Sequence, residues 1–415
     1  MKIQKTDNMK SSLFKIVNEW IAIAGRAFAL ILYAFSFLSI RNKHIWAFGS
    51  ASSFSGNSKY LLQYVIEHHP EIMSCWITKR KEEISILRHK GINAYYTYGI
   101  KGIYYSLRAK YYIVNSSLGD INFYTSGGCK YIQLWHGVGL KCCLWNNKRS
   151  IMNTNNKLIG FIKRPSYYIE PNFILGASKL MNKIFFSSMF RTDISRCHSF
   201  LYPRCWPLYE SKEELLSYIN RWEDDQMMKF VEHISKYSSV YLYMPTYRDA
   251  NPYFLEEQNW NLVELNELLR INNALLIVKL HPGISIEVDY GGFDHIIEMN
   301  KYMDVYPILP FTDTLITDYS SIYYEYILMK NKQIILYIPD KEDYITHSRD
   351  LLLKYEDNCR GIVVNDFNGL LGALLLHEAI DYEDLRIKFW GKDIDCDKEA
   401  LYQTLLKNDS DNSEK

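Results

Sequence analysis

Short apolar runs recur along the chain, each closing in a small polar cluster and followed by a stretch of helical periodicity. HIWAFGS at 44–50, EIMSCWIT, NAYYTYG, KYYIVNSS, YIQLWHG and NFILGAS predict strands in the first half. KYLLQYVIEHHP, KEEISILRHKG and the segment reaching Arg108 supply helices between them. The same rhythm returns with VYLYMPTYRD, a helix near 261–272, LLIVKLHP, HIIEM, TLITDYSS with its helix, QIILYIP and GIVV. Strands alternating with helices predict parallel sheets built from βαβ units. The polar stretch 211–238 opens with Ser211 and carries Glu214 three residues on, a capping-box pattern, and predicts a helix joining two domains. The expected organisation is therefore α/β: one domain over 44–210, a second over 239–405, and a cleft between them. The tail at 406–415 is acidic with Ser and Asn and is expected to be disordered.

The first 43 residues form a segment of their own. Lys15, Asn18, Glu19 and Arg26 recur at helical spacing opposite Leu13, Phe14, Val17, Trp20, Ile21, Ala24 and Phe28, which predicts an amphipathic helix. No charge falls between Ala27 and Ile40. Those residues would span only about 21 Å as helix, short of a hydrocarbon core of roughly 30 Å. The basic N-terminus suits a secretory signal, but no small-residue cleavage site follows Ile40. Three readings stand: a helix in the membrane interface with its basic residues toward anionic lipid, a transmembrane anchor, or a helix packed on the protein. The first is preferred.

Composition narrows the class. With 415 residues, 48% hydrophobic and 23% charged, the chain is long enough for two cores and is not disordered. Lys+Arg of 48 against Asp+Glu of 47 gives none of the basic excess of a general nucleic-acid binder. The 8 cysteines make no C-x-x-C pair and no metal-ligand spacing, so a reduced compartment without structural zinc is expected. The 34 tyrosines sit mostly within strand-like and helix-like runs and read as packing.

Four strand ends carry candidate chemistry, and in open α/β sheets ligands lie outside the carboxyl ends of the strands. His136, in W-H-G with Lys141 five residues on, could take a proton from a hydroxyl near neutral pH, or be structural. His281, in K-L-H-P, is a second such residue. Arg248, in P-T-Y-R-D after Thr246, has the planar fork that matches phosphate oxygens, or could pair with Asp249. In T-D-Y-S-S, Asp318, Ser320 and Ser321 precede a helix through IYYEYILMK, where a phosphate would meet open N–H groups and two hydroxyls. The same residues could simply cap that helix. No P-loop, no G-x-G-x-x-G after the first strand and no G-x-S-x-G elbow is present.

In this order, GNSKYL (56–61), QLWHGVGLK (133–141), YPR (202–204), MPTYRD (244–249), KLHP (279–282) and TDYSSIYYEY (317–326) resemble the CDP-glycerol glycerophosphotransferase family of teichoic-acid and capsule-polymer enzymes. The resemblance covers most of the chain after residue 44. It implies a GT-B-like fold, two Rossmann-like domains facing a central cleft, and action at the cytoplasmic face of the membrane on a lipid-linked or polymer acceptor. It implies a CDP-linked donor as substrate, no cofactor and no metal. His136 takes the catalytic-base position and His281 the second histidine position; Thr246, Arg248, Asp318, Ser320 and Ser321 take the donor diphosphate. Gly137, Lys141, Arg204 and Glu325 stand where donor or acceptor contacts are expected. The chain departs from the pattern at Gly139, Cys205-Trp206 and Asn331-Lys332. A GT-B glycosyltransferase using a nucleotide sugar is the competing expectation, since the fold does not separate the two.

Overall fold

In the computed structural model the described residues are 24–407, apart from 149, 151–155, 247, 249–253, 255–257, 282, 284–289, 343, 345–349, 377 and 379. The apolar runs of the sequence are strands because both of their faces are covered. In β1 (Asn42–Gly49), for example, Ile45 to Gly49 are all buried, as parallel strands between two helical layers require.

The first sheet also contains β2 (Met73–Thr78), β3 (Asn93–Tyr96), β4 (Ala109–Val114), β5 (Lys130–Gln133), β6 (Phe173–Gly176) and β7 (Cys197–Ser199). Its order is β3-β2-β1-β4-β5-β6-β7, and its pairings are parallel. The second sheet consists of β8 (Ser239–Met244), β9 (Ala274–Val278), β10 (Ile296–Glu298), β11 (Thr314–Thr317), β12 (Gln333–Tyr337) and β13 (Ile362–Val364). Its order, β10-β9-β8-β11-β12-β13, is again parallel. Each half thus reverses direction beside its own first strand, at β1/β4 and at β8/β11. That is the switch point where doubly wound folds open a crevice.

The passage between the sheets differs from expectation in one respect. The stretch expected as one helix is two, Lys212–Trp222 and Asp225–Ile234. The Ser211–Glu214 capping box starts the first. Asp224 starts the second by accepting from Met227 N at 3.0 Å, and a side-chain cap there competes with continuing the first helix.

The C-terminal helices return to the first half. Ser178 N donates to Phe389 O at 3.1 Å. Tyr402, on the helix Lys398–Lys407, stacks on Trp46 and on His69 with centroids 5.4 and 3.5 Å apart. The tail expected to be disordered from 406 is helical to Lys407, and 408–415 lie outside the described residues.

Of the amphipathic helix expected over 13–26, residues 13–23 lie outside the described residues, and 24–36 are helical. One face packs: Tyr33 stacks on Phe123 at 4.4 Å, and the buried Ser36 hydroxyl accepts from Gly127 N at 2.8 Å. Arg41 locks the exit by donating to the carbonyls of Ser106, Ala109, Thr125 and Gly127. The other face leaves Phe28, Ile31, Leu32 and Phe35 exposed, continued by Leu38 and Ile40. No helix among the described residues is long and apolar enough to cross a membrane.

Candidate active site

The loop after β5 carries His136 into the open. Its backbone leaves the strand through Trp135 at φ 55 and Gly137 at φ 137, conformations that a side chain disfavours. The exposed His136 ring lies 4.0 Å from the Trp135 ring. Its Nδ1 is 3.1 Å from Asn115 O, at the end of β4. A carbonyl only accepts, so in the neutral ring Nδ1 carries the proton and Nε2 the lone pair. Asn115 is itself fixed. Its N–H, with those of Ser116 and Ser117, donates to the buried Asp120 carboxyl at 3.0, 2.7 and 3.3 Å. Burial pushes that carboxyl up to about 7 against the pull of the three donors.

His281, exposed beyond β9, is the mirror case. Gly283 N donates to its Nδ1 at 3.0 Å, so the neutral ring carries its proton on Nε2. The neutral first ring thus has its lone pair at Nε2, and the neutral second ring its N–H. Nearby, Lys279 Nζ donates to Asn300 O at 2.7 Å, and burial pulls its pKa down to about 8.

The end of β11 holds a different arrangement from the one expected. Asp318 accepts from Thr246 N at 2.9 and 3.0 Å and from Tyr319 N at 2.5 Å. Arg248 donates to Asp318 Oδ2 from Nη1 at 2.7 Å. It also donates to Asp340 from Nε and Nη2 at 2.7 and 3.1 Å, and its guanidinium lies 3.5 Å from the Phe254 ring centroid. Arg248 and Asp318 thus brace the loops after β8 and β11, since a buried cation needs charged partners. The Thr246 hydroxyl is buried without a partner among the described residues. The helix expected through IYYEYILMK is only Ile322–Tyr326, and Ser321 precedes it without a side-chain cap. Ser321 is exposed and Ser320 half-buried, so capping does not account for Ser321.

Between the halves, four expected residues meet. A Cβ on Gly137 would lie 2.9 Å from Arg204 Nη2, 3.5 Å from Ser321 Oγ and 3.6 Å from Glu325 Oε1. Arg204 and Glu325, expected as ligand contacts, instead donate and accept to each other, with Tyr306 OH on the second Glu325 oxygen. Glu325 is fully buried, and burial pushes its carboxyl up against the pull of Arg204. Lys141 forms an antiparallel bridge with Leu351, flanked by Cys142 N to Asp350 O at 2.8 Å, with its ammonium 5.4 Å from the Tyr344 ring centroid. Deeper in, Lys59 pairs with Glu223 and Asp304 at 2.5 and 2.9 Å.

Asn115, Tyr306 and Asp340 are not legible in the sequence because their partners are distant, and Asp120 because it caps a short loop turn that no motif marks. Asn57 stands in the sequence only within GNSKYL (56–61). Among the described residues no group of three or more His, Cys, Asp or Glu is arranged to hold a metal ion.

Curated relatives share this chain over most of its length. A teichoic acid poly(glycerol phosphate) polymerase of Bacillus spizizenii is 25% identical over 390 residues, 89% of this chain and 92% of that protein. A teichoic acid glycerol-phosphate transferase of Staphylococcus aureus is 26% identical over 396 residues, 91% of this chain and 97% of that protein. The Bacillus subtilis teichoic acid poly(glycerol phosphate) polymerase is 26% identical over 344 residues, and the match spans 80% of this chain but only 44% of that protein. The fold is that of the wall teichoic acid polymerase TagF, with a TM-score of 0.72 at 18% identity over 96% of this chain and 99% of that one. Residues 31–392 match the family described as CDP-glycerol:poly(glycerophosphate) glycerophosphotransferase, and the chain belongs to that family.

Proposed function

We propose that the protein transfers glycerol phosphate, or a related alditol phosphate, from a CDP-linked donor to an acceptor hydroxyl and releases CMP, in assembly of a teichoic-acid-like or capsular polymer. The observation that carries this reading is the opposed hydrogen bonding of the two histidines. Asn115 O favours a neutral His136 with its lone pair at Nε2, which suits a base, and Gly283 N–H favours a neutral His281 with its proton at Nε2, which suits a donor.

The acceptor oxygen attacks the β-phosphorus while His136 Nε2 takes its proton. The bond from that phosphorus to the bridging oxygen breaks, and the oxygen leaves with CMP. His281 Nε2–H bonds the departing phosphate. The hydroxyls of Thr246, Ser320 and Ser321 hold the diphosphate, while Arg248, Asp318 and Asp340 keep those loops in place. Arg204 and Glu325 set the floor under Gly137. Such transfer rests on positioning and preformed hydrogen bonds rather than on covalent work by the protein.

The acceptor is lipid-linked or a growing polymer, reached from the cytoplasmic face of the membrane. The exposed row Phe28, Ile31, Leu32 and Phe35 supports seating in the interface. The test is CMP release from the full chain given CDP-glycerol, CDP-ribitol or UDP-sugars, with a lipid-linked acceptor on vesicles. CMP from one CDP-alditol is the expected result. UDP from a sugar donor with no CMP would replace this reading with a glycosyltransferase.

A further inference from the structure

The helix Asn57–His68 begins directly beneath the His136 loop, and its first side chain does not behave as an ordinary helix start. Asn57 is fully buried. Its Nδ2 donates to both Leu134 O and Trp135 O at 3.0 Å, and its Oδ1 accepts from Arg204 N at 3.1 Å. Two carbonyls need a donor and one N–H needs an acceptor, so the amide has a single orientation. The neighbouring Ser58 holds the other anchor of the histidine: its N–H and hydroxyl both donate to Asn115 Oδ1 at 2.9 Å. Gly56, at φ 73, lets the chain pass, since a Cβ there would lie 2.7 Å from Asn115 Nδ2.

The held residue is the unusual one. Trp135 is left-handed, at φ 55, a conformation that non-glycine residues keep only when their surroundings impose it. Its carbonyl is gripped by Asn57 and its N–H by Gln133 Oε1 at 3.0 Å. A residue held at both its N–H and its carbonyl immediately before His136 fixes where the imidazole starts. The third bond of Asn57 ties the same loop to Arg204, and through Arg204 to Glu325 on the donor side.

We propose that Asn57 is a positioning residue: it holds the Trp135 peptide in its left-handed form and so aims His136 Nε2 at the acceptor hydroxyl. This rests on His136 being the base. Failure of that premise would appear separately, as turnover retained by His136→Ala whatever Asn57 does.

The experiment compares CMP release by the wild type, Asn57→Ala, Asn57→Asp and Tyr112→Phe on acceptor-loaded vesicles. Tyr112 is an equally buried polar group of the same half, bonded to Ser106 and Thr125 away from the loop. For Asn57→Ala the expected result is a kcat lower by roughly ten- to hundredfold, the scale on which small misplacements act, with KM for CDP-glycerol nearly unchanged. Tyr112→Phe should keep its kcat even where its Tm falls. Asn57→Asp keeps the shape, and when protonated it still donates one hydrogen bond; ionised, it faces two carbonyls with negative oxygen. Its activity relative to wild type should therefore fall as pH rises, a change a purely structural role would not give. The proposal is overturned if a folded Asn57→Ala keeps wild-type kcat, if only KM rises, or if the relative pH profile of Asn57→Asp is flat. Should Asn57→Ala not fold, the Asn57→Asp profile decides alone.

Discussion

Glu325→Gln isolates an interaction that joins the two halves under the loop after β5. In the wild type both Glu325 oxygens are used: Oε1 accepts from Nε and Nη2 of Arg204, and Oε2 accepts from Tyr306 OH. The Glu325 side chain is 0% exposed and that of Arg204 10%. Glutamine keeps the shape and one acceptor but leaves the guanidinium buried without its counter-charge, 4.7 Å from the Tyr306 ring centroid. Breaking a buried pair from one side costs about 3–5 kcal/mol. At about 2–4 °C per kcal/mol, Tm should fall by roughly 6–20 °C. Replacing both partners, Arg204→Met with Glu325→Leu, removes the charges together and should recover most of that loss. The assay is thermal unfolding of the three proteins at one scan rate and one concentration. If Glu325→Gln unfolds within about 2 °C of wild type, smaller than a 1 kcal/mol effect, the pair does not brace the halves. A double variant no better than the single would refute the charge argument in another way.

Three further outcomes follow from the same geometry. His136→Ala should lower CMP turnover by about two to four orders of magnitude with CDP-glycerol binding retained by calorimetry; turnover near wild type would remove the base. Asp120, raised by burial to about 7, keeps in the folded state a proton that the unfolded chain releases above about pH 4. Its contribution to stability is therefore fully present below about pH 4 and is lost as pH rises to about 7, at up to ~1.4 kcal/mol per pH unit. Denaturant unfolding across that window should show a flatter slope for Asp120→Asn, and an unchanged slope would exclude the titration. Phe35→Asp, on the exposed apolar row, should weaken co-sedimentation with phosphatidylglycerol vesicles by at least tenfold, since a buried Phe contributes about 1.5–3 kcal/mol; equal binding would move the contact elsewhere.

What the sequence disclosed, and what it hid, divides along a physical line. Ile45 to Gly49 and Leu315 to Thr317 could be read as strands because parallel strands bury both faces and so lack alternation. His136, His281 and the serine pair follow β5, β9 and β11, as their place after apolar runs predicts. The ionic partners could not be read. Arg248 looked like a phosphate clamp, and nothing near it in sequence announces Asp340, 92 residues on. Arg204 and Glu325 are 121 residues apart, and each alone resembles a ligand contact; only their burial together turns them into a brace. The helix after Ser321 was overestimated for a related reason. IYYEYILMK has helical composition, but the helix ends at Tyr326 and Asn331 takes φ 59 before β12, as the short connection to a neighbouring parallel strand demands. Asn57 was hidden by its setting, since an asparagine at a helix start is ordinarily read as local capping, whereas here its three bonds all reach across the fold.

The braces also constrain how the protein can work. Arg204–Glu325 and Lys59–Asp304 cross from the first half to the second, and the bonds of Leu140 and Cys142 to Leu352 and Asp350 add a strip of backbone pairing. Opening the cleft as a wide hinge would break buried ion pairs, each costing several kcal/mol to separate. A motion of that cost would have to be driven by differential binding of a ligand. The economical alternative is a cleft of nearly fixed width, entered from the side. In such a cleft the charged side chains hold the walls, and the His136 and His281 rings stand at the ends of β5 and β9, each with a backbone partner at Nδ1. Rate then depends on how accurately the loop after β5 is held, which is why its anchors should matter to turnover as much as groups that touch the substrate.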